Sequence, residues 1–143
     1  MKMEASDILI AKLKELEGYR GRAYLCPAGV WTIGYGHTRG VRRGQRCTRG
    51  EADRWLREDL APVEAWCSGV KELRTQGRFD AVVDFCYNVG LQAFKDSTLY
   101  RKIREGRPDA EIQAEFRRWV YADGRVMPGL VRRRAWEARR WAE

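Results

Sequence analysis

The stretch Glu17-Gly-Tyr-Arg-Gly-Arg-Ala-Tyr24-Leu-Cys26-Pro-Ala-Gly-Val-Trp-Thr32-Ile-Gly-Tyr-Gly-His37-Thr38 decides how this chain is read. A carboxylate closes a helical pattern and a glycine-rich, β-forming segment follows at once. Upstream, Leu9, Leu13 and Leu16 lie on one helical stripe, Ser6 or Asp7 can cap its start, and Gly18 is a natural stop. Residues 19–46 combine glycines with Tyr24, Val30, Trp31, Thr32, Ile33 and Tyr35, which predicts short strands and tight turns. Glu17 therefore falls at the negative end of a helix dipole, where the ionised carboxylate is disfavoured. Partial burial would act in the same direction. A carboxyl group kept protonated is what a general acid requires; an ordinary solvated helix-end glutamate is the alternative.

Downstream the pattern is helical. Thr48-Arg-Gly-Glu51 is a capping box. The helix it opens is expected to reach about Ser68, with Leu56, Leu60, Val63 and Cys67 on one face and a bend at Pro62. A second long helix is expected over Thr75–Val89, with Phe79, Val82, Val83 and Cys86 as its stripe. Shorter helices follow from Ser97 to Gly106 and from Asp109 through Ile112, Phe116 and Trp119. Asp123-Gly124 signals a turn. Pro128 starts a last helix whose apolar positions are Leu130, Val131, Ala135, Ala138 and Trp141. The fold class is α+β, mainly α: one helix, a small β unit, then five helices.

Composition narrows the function. A chain of 143 residues with 44% hydrophobic residues can bury a core as one domain, without disulfide or metal support. Its apolar runs are too short to span a membrane, and the N-terminus lacks the pattern of a signal peptide. The formal charge of +8 attracts polyanions: nucleic acid, anionic lipid or an anionic wall polymer. Two basic clusters stand out, Arg39 to Arg49 and Arg132 to Arg140. Of the four cysteines none forms CxxC, and with one histidine a zinc site is not expected. Cys67 and Cys86 read as buried thiols, and His37 as a hydrogen-bonded packing residue.

The Glu-Gly-x-Arg and Trp-Thr-Ile-Gly-Tyr-Gly-His-Thr stretches resemble the signature of phage-type lysozymes, the endolysins of glycoside hydrolase family 24 that include the T-even phage lysozyme. Phe85-Cys-Tyr-Asn88-Val-Gly90, Phe94-Lys-Asp-Ser97-Thr98-Leu99, Trp119-Val-Tyr-Ala and Gly129-Leu-Val-x-Arg133-Arg134 resemble further family segments in the same order. The resemblance implies a lysozyme-like fold, with a small β-hairpin lobe (18–47) and a helical lobe (1–17 and 70–143) flanking a cleft and joined by a helix (48–69). It implies a muramidase that hydrolyses the β-1,4 bond between N-acetylmuramic acid and N-acetylglucosamine for host-cell lysis, with no metal or organic cofactor. The family's catalytic glutamate falls on Glu17, its water-holding threonine on Thr32, and a cleft residue on Asn88, whose amide suits an N-acetyl sugar.

One position departs from the pattern. Nine residues after the glutamate the best-known members carry an aspartate, and here that residue is Cys26. An inverting glycosidase needs a base opposite its acid, whereas a free thiol with a pKa of about 8.5 is mostly neutral. Arg20 or Arg22 could favour the thiolate, making Cys26 the second catalytic group. It could instead be a small packed residue, or be masked by a disulfide, for instance with Cys47. The lost aspartate keeps a lytic transglycosylase giving a 1,6-anhydro product in view, and the basic patches keep a non-catalytic module for envelope or nucleic acid. The expected partners are peptidoglycan and the anionic bacterial envelope, without nucleic acid or stable membrane insertion, and the chain is expected to be a monomer. It is expected to be a complete endolysin, made in the bacterial host cytoplasm and reaching the periplasmic wall after membrane permeabilisation.

Overall fold

The computed structural model describes residues 2–143. The chain forms two compact units, one of residues 7–62 and one of the N-terminal residues to Ser6 together with Val63–Glu143.

In the first unit, α1 spans Asp7–Glu17 and buries Leu9, Ile10 and Leu13. It stops where Gly18, at φ +69°, donates its N–H to the Lys14 carbonyl at 3.0 Å. Strands β1 (Arg20–Leu25) and β2 (Trp31–Gly34) form an antiparallel ribbon. They are joined by the five residues 26–30, which turn at Pro27-Ala28-Gly29. Gly29 donates to the Cys26 carbonyl at 2.8 Å, and Cys26 donates to the Val30 carbonyl at 3.0 Å. Gly29 sits at φ +78°, the left-handed position that such a hairpin loop demands. The expected capping box is in place: Thr48 N–H donates to Glu51 Oε1 at 2.9 Å, and Glu51 N–H to Thr48 Oγ1 at 3.1 Å. It opens α2 (Arg49–Ser68), which accommodates Pro62 within its length. His37 packs as expected, its Nδ1 2.8 Å from Asp59 Oδ2 and its ring stacked on Trp55 at 4.9 Å.

The second unit is built around α3 (Gln76–Val89), capped by Thr75, whose Oγ1 accepts from Arg78 N–H, and ended at Gly90. Short helices α4 (Leu91–Lys95), α5 (Thr98–Arg104, capped by Ser97) and α6 (Asp109–Phe116) follow. A two-residue hairpin of β3 (Tyr121–Ala122) and β4 (Arg125–Val126) then turns at Asp123-Gly124. The last helix, α7, spans Pro128–Trp141. Phe85 lies at the aromatic centre, with Phe94, Phe116 and Trp119 edge-on at 5.8, 5.7 and 5.3 Å. Cys67 and Cys86 are buried as expected. No helix among the described residues is long and apolar enough to cross a membrane.

Two expectations are corrected here. Helix α3 is buried on every side from Phe79 to Cys86, Asp80 and Asp84 included, rather than along one apolar stripe. Helix α7 turns a charged face inward: Arg133, Arg134, Glu137 and Arg140 are buried, while Val131 is exposed. Arg133 grips Asp84 with two hydrogen bonds of 3.0 and 2.9 Å. Arg140 grips Asp80 at 3.1 and 2.8 Å. Asp80 also accepts from the Ser6 backbone and hydroxyl and from Gln76. Three of the five arginines of the second basic cluster, Arg133, Arg134 and Arg140, are therefore internal ion pairing, not surface for a polyanion. The physical reason is that a guanidinium paired bidentately with a carboxylate can be buried where an unpaired one cannot.

Burial strains this network at one point. Glu137 has its pKa raised by desolvation and by the neighbouring Asp84 carboxylate, with Arg134 opposing. Asp84 itself is held low by its hydrogen bonds from Glu137 and Arg133 despite burial. Burial and Asp84 thus favour the neutral form of Glu137, although Arg134 Nε lies 2.8 Å from its Oε1. Its contribution to stability is complete below the ordinary glutamate pKa of about 4.3 and fades as pH rises through the raised value. Glu137→Gln, which keeps the shape and removes that titration, is expected to flatten this decline. Thermal melts of both proteins from acid to mildly alkaline pH check it.

A second expectation concerns the seam between α3 and α7. A Cβ placed on Gly77 would lie 2.4 Å from the carbonyl oxygens of Arg140 and Glu143. Both are backbone atoms with no freedom to swing aside. Gly77→Ala is therefore expected to cost about 1–3 kcal/mol, whereas Gly50→Ala, whose Cβ would meet only Thr48 Oγ1 at an unstrained 3.9 Å, is expected to be neutral or mildly stabilising. Denaturant midpoints of the two variants discriminate.

Candidate active site

Glu17, Cys26 and Thr32 all lie in the unit of residues 7–62, and Asn88 lies in the other. Glu17 is the last residue of α1 and is half-buried. Only Gly18 and Tyr19 separate it from β1, so the tight helix stop fixes where the chain leaves the helix beside Glu17 and enters the ribbon.

Cys26 ends the other side of β1. Thr32 pairs with Tyr24 across the ribbon, and Leu25 with Trp31. Because side chains alternate along a strand, Cys26 and Thr32 project from the same face as diagonal neighbours. Thr32 is buried and donates its hydroxyl to the Val30 carbonyl at 3.0 Å. The thiol of Cys26 meets the backbone N–H groups of Val30 and Ala28, with the Thr32 hydroxyl also in reach. These donors, led by Val30, hold the Cys26 pKa below that of an ordinary thiol, outweighing a small desolvation cost. The stabilising charge is thus supplied by the turn's amides rather than by Arg20 or Arg22. Arg20 instead stacks its guanidinium on Tyr24 at 4.3 Å.

The other half-exposed thiol is different in kind. Cys47 has its pKa raised, chiefly by desolvation. Its N–H donates to the Gly21 carbonyl at 2.9 Å, which places it opposite Gly21, five residues from Cys26. Along a strand that is on the order of 15 Å, beyond the roughly 7 Å limit for bridging two cysteines. All four cysteines are free, and a Cys26–Cys47 disulfide does not fit this geometry.

Asn88 is exposed near the end of α3, and its Oδ1 accepts from Arg134 Nη2 at 2.6 Å. It lines a cavity of about 490 Å³ with Trp119, Tyr121, Leu130 and Arg134. Apolar walls with an amide and a guanidinium suit a sugar carrying polar substituents. Trp119, expected within the helix that starts at Asp109, lies past the end of α6 and serves both core and cavity: its ring packs against Phe85 and it also lines this cavity. Among the described residues no cluster of side chains is arranged to hold a metal ion.

Residues 14–137 match the family model described as phage lysozyme, and the chain belongs to that family. It is 39% identical over 137 residues to an endolysin of Acyrthosiphon pisum secondary endosymbiont phage 1, covering 92% of this chain and 93% of that protein. It is 43% identical over 142 residues to the endolysin of Bacillus phage PZA, covering 94% of this chain but only 54% of that longer protein. The chain thus spans about half the length of that second relative. Among solved structures it is similar to the muramidase domain of SpmX from Asticaccaulis excentricus, with a TM-score of 0.88, 39% identity and 98% of each chain covered. The mainly helical, lysozyme-like fold expected from the sequence is borne out, and the family membership favours a lysozyme over a transglycosylase or a non-catalytic basic module.

Proposed function

We propose that this chain is an endolysin muramidase in which Glu17 and Cys26 divide the acid and base work. The substrate is peptidoglycan, and the bond cleaved joins N-acetylmuramic acid to N-acetylglucosamine. Glu17 donates its proton to the glycosidic oxygen as the bond to the anomeric carbon breaks. A water held by the Thr32 hydroxyl attacks that carbon from the opposite side, and the Cys26 thiolate accepts the proton the water loses. The products are two shorter glycans, one with an inverted anomeric centre. Asn88 and the cavity beside it would receive an N-acetylated sugar. The protein would act as a monomer, after release from the host cytoplasm through a permeabilised membrane.

The observation that carries this reading is the surroundings of Cys26. Its register matches the family's second carboxylate, and the turn amides favour its charged form, so a thiol can stand where an aspartate is usual. The test is alkylation at neutral pH. Iodoacetamide is expected to modify Cys26 ahead of Cys47, whose pKa is raised, and ahead of the buried Cys67 and Cys86. Lysis is expected to fall in step with Cys26 labelling, as read by peptide mass. Cys26→Asp is expected to retain lysis and to be indifferent to the reagent. Undiminished clearing by fully Cys26-labelled protein would sink the assignment. Product mass and early-time anomer analysis separate hydrolysis with inversion from an anhydro product, which lacks one water.

A further inference from the structure

Between Glu17 and Glu51 the chain carries seven arginines and neither an aspartate nor a glutamate. Against a whole-chain formal charge of +8, this short stretch holds an excess nearly as large. Every one of these arginines is exposed. Arg22 stands directly opposite Arg46 across an antiparallel bridge. Flanking bonds from Ala23 N–H to the Gln45 carbonyl and from Cys47 N–H to the Gly21 carbonyl, both 2.9 Å, hold that register. Side chains so opposed have Cβ atoms about 5 Å apart, and like charges there repel. A turn closed by Gln45 N–H to the Arg42 carbonyl at 3.1 Å sets Arg42 and Arg43 at the end of the same ribbon. Of the nearby carboxylates, Asp53 is engaged with Lys14 and Arg57, Glu51 is held in its capping box, and Asp59 pairs with His37 and, at 3.8 Å, with Arg39 of this stretch. Among the described residues, Arg22, Arg42, Arg43 and Arg46 form no ion pair.

We propose that this arginine ribbon docks the protein on the phosphates of an anionic phospholipid bilayer, with Arg22 and Arg46 sharing one phosphate. Two guanidinium forks facing one anion turn the repulsion of the bridge into bidentate, charge-assisted hydrogen bonds. Each arginine near an anionic bilayer adds attraction that salt screens. A bilayer is favoured over a nucleic acid for two reasons. The β1–β2 hairpin end is uncharged, residues 23–38 carrying no acidic or basic side chain other than His37, and it exposes Leu25 by 55% and Val30 by 44%. Apolar side chains beside basic ones suit the interface of a membrane. Single-stranded nucleic acid instead needs bare aromatic faces, and here Arg20 covers Tyr24 while Arg49 covers Tyr19 at 4.2 Å. Leu25 and Val30 flank Cys26, but the two readouts separate, because isolated wall material contains no bilayer and the arginines tested below lie outside the proposed catalytic set.

Co-sedimentation of the full chain with vesicles tests this. Binding is expected to vesicles containing phosphatidylglycerol, to be lost at high salt, and to be absent with pure phosphatidylcholine. R22Q/R46Q is expected to lower the partition coefficient by about tenfold or more, with clearing of isolated sacculi and the circular dichroism spectrum unchanged. R42Q/R43Q, on the turn, is expected to act in the same direction and serves if the first variant misfolds. R54Q/R57Q, which removes arginines already paired with Glu58 and Asp53, is expected to change binding far less. Equal binding to both vesicle types, undiminished binding by both ribbon variants, or preferential binding to DNA over vesicles would each overturn the proposal.

Discussion

Glu17→Gln is expected to slow the clearing of a peptidoglycan suspension by about 10²–10⁴-fold, the range by which a positioned general acid accelerates bond cleavage. The amide keeps the size and much of the hydrogen bonding of the carboxyl group but has no proton to give to the glycosidic oxygen. The leaving sugar would then depart as an alkoxide, and nothing else in the unit of residues 7–62 occupies the same helix-end position. The variant is expected to keep its helical circular dichroism and a cooperative melt, so that the loss reads as chemistry rather than unfolding. Turbidity clearing by wild type and variant at matched concentration is the measurement. Equal clearing would remove Glu17 from the mechanism. Glu17→Asp makes a finer comparison: it retains a titratable group but withdraws it by one methylene, so it should fall between the two.

The second large effect concerns stability. Asp84→Ala is expected to destabilise the protein by about 3–5 kcal/mol, because it strips the bidentate carboxylate from a buried guanidinium. For a chain of this length that corresponds to a fall in melting temperature of roughly 10 °C or more. The reason lies in burial. Arg133 is only 6% exposed and Asp84 is fully enclosed, so water cannot replace the lost hydrogen bonds. Asp84→Asn should recover part of the loss, since it restores an acceptor without the charge. Surface pairs such as Arg101 with Glu105, although of similar length, should contribute less than about 1 kcal/mol. A thermal melt series of Asp84→Ala, Asp84→Asn and Glu105→Ala checks the order. Comparable losses at Glu105 and Asp84 would mean that burial is not what gives the internal pair its weight.

Much of the fold was legible because the signals were local. Thr48 with Glu51, Thr75, Ser97 and Gly90 each mark a helix end by chemistry that acts within four residues, and each lies where it was expected. Helix α4 escaped because five residues give no periodicity, and β3 and β4 because two-residue strands give no alternation. The inward face of α7 escaped for a different reason: hydropathy assigns arginine to the surface, and only a partner on another helix can reverse that. The available signal was spacing. Asp80 and Asp84 are four apart on α3 and Arg133 and Arg140 seven apart on α7, so each set occupies one face of its helix.

The candidate site divides in the same way. The positions of Glu17, Cys26 and Thr32 were readable as spacings once a family resemblance supplied the template. What Cys26 experiences was not readable, because its surroundings are backbone amides whose direction is set by the loop geometry at Gly29 and not by any side chain. The arginines expected to activate it stand in the sequence only a few residues away, yet Arg20 is turned onto a tyrosine ring.

The seam of α3 and α7 carries a constraint on how this protein can vary. Neither Asp80 nor Arg140, nor Asp84 nor Arg133, can be exchanged for an apolar residue alone without leaving its partner buried and uncompensated. Each pair can still be lost in a single joint step that replaces both with well-packed apolar side chains. Drift at these positions is therefore expected to be coupled, with intermediates purged and double replacements surviving, so that sequence divergence on these two helices proceeds by pairs while the exposed arginines around them change one at a time.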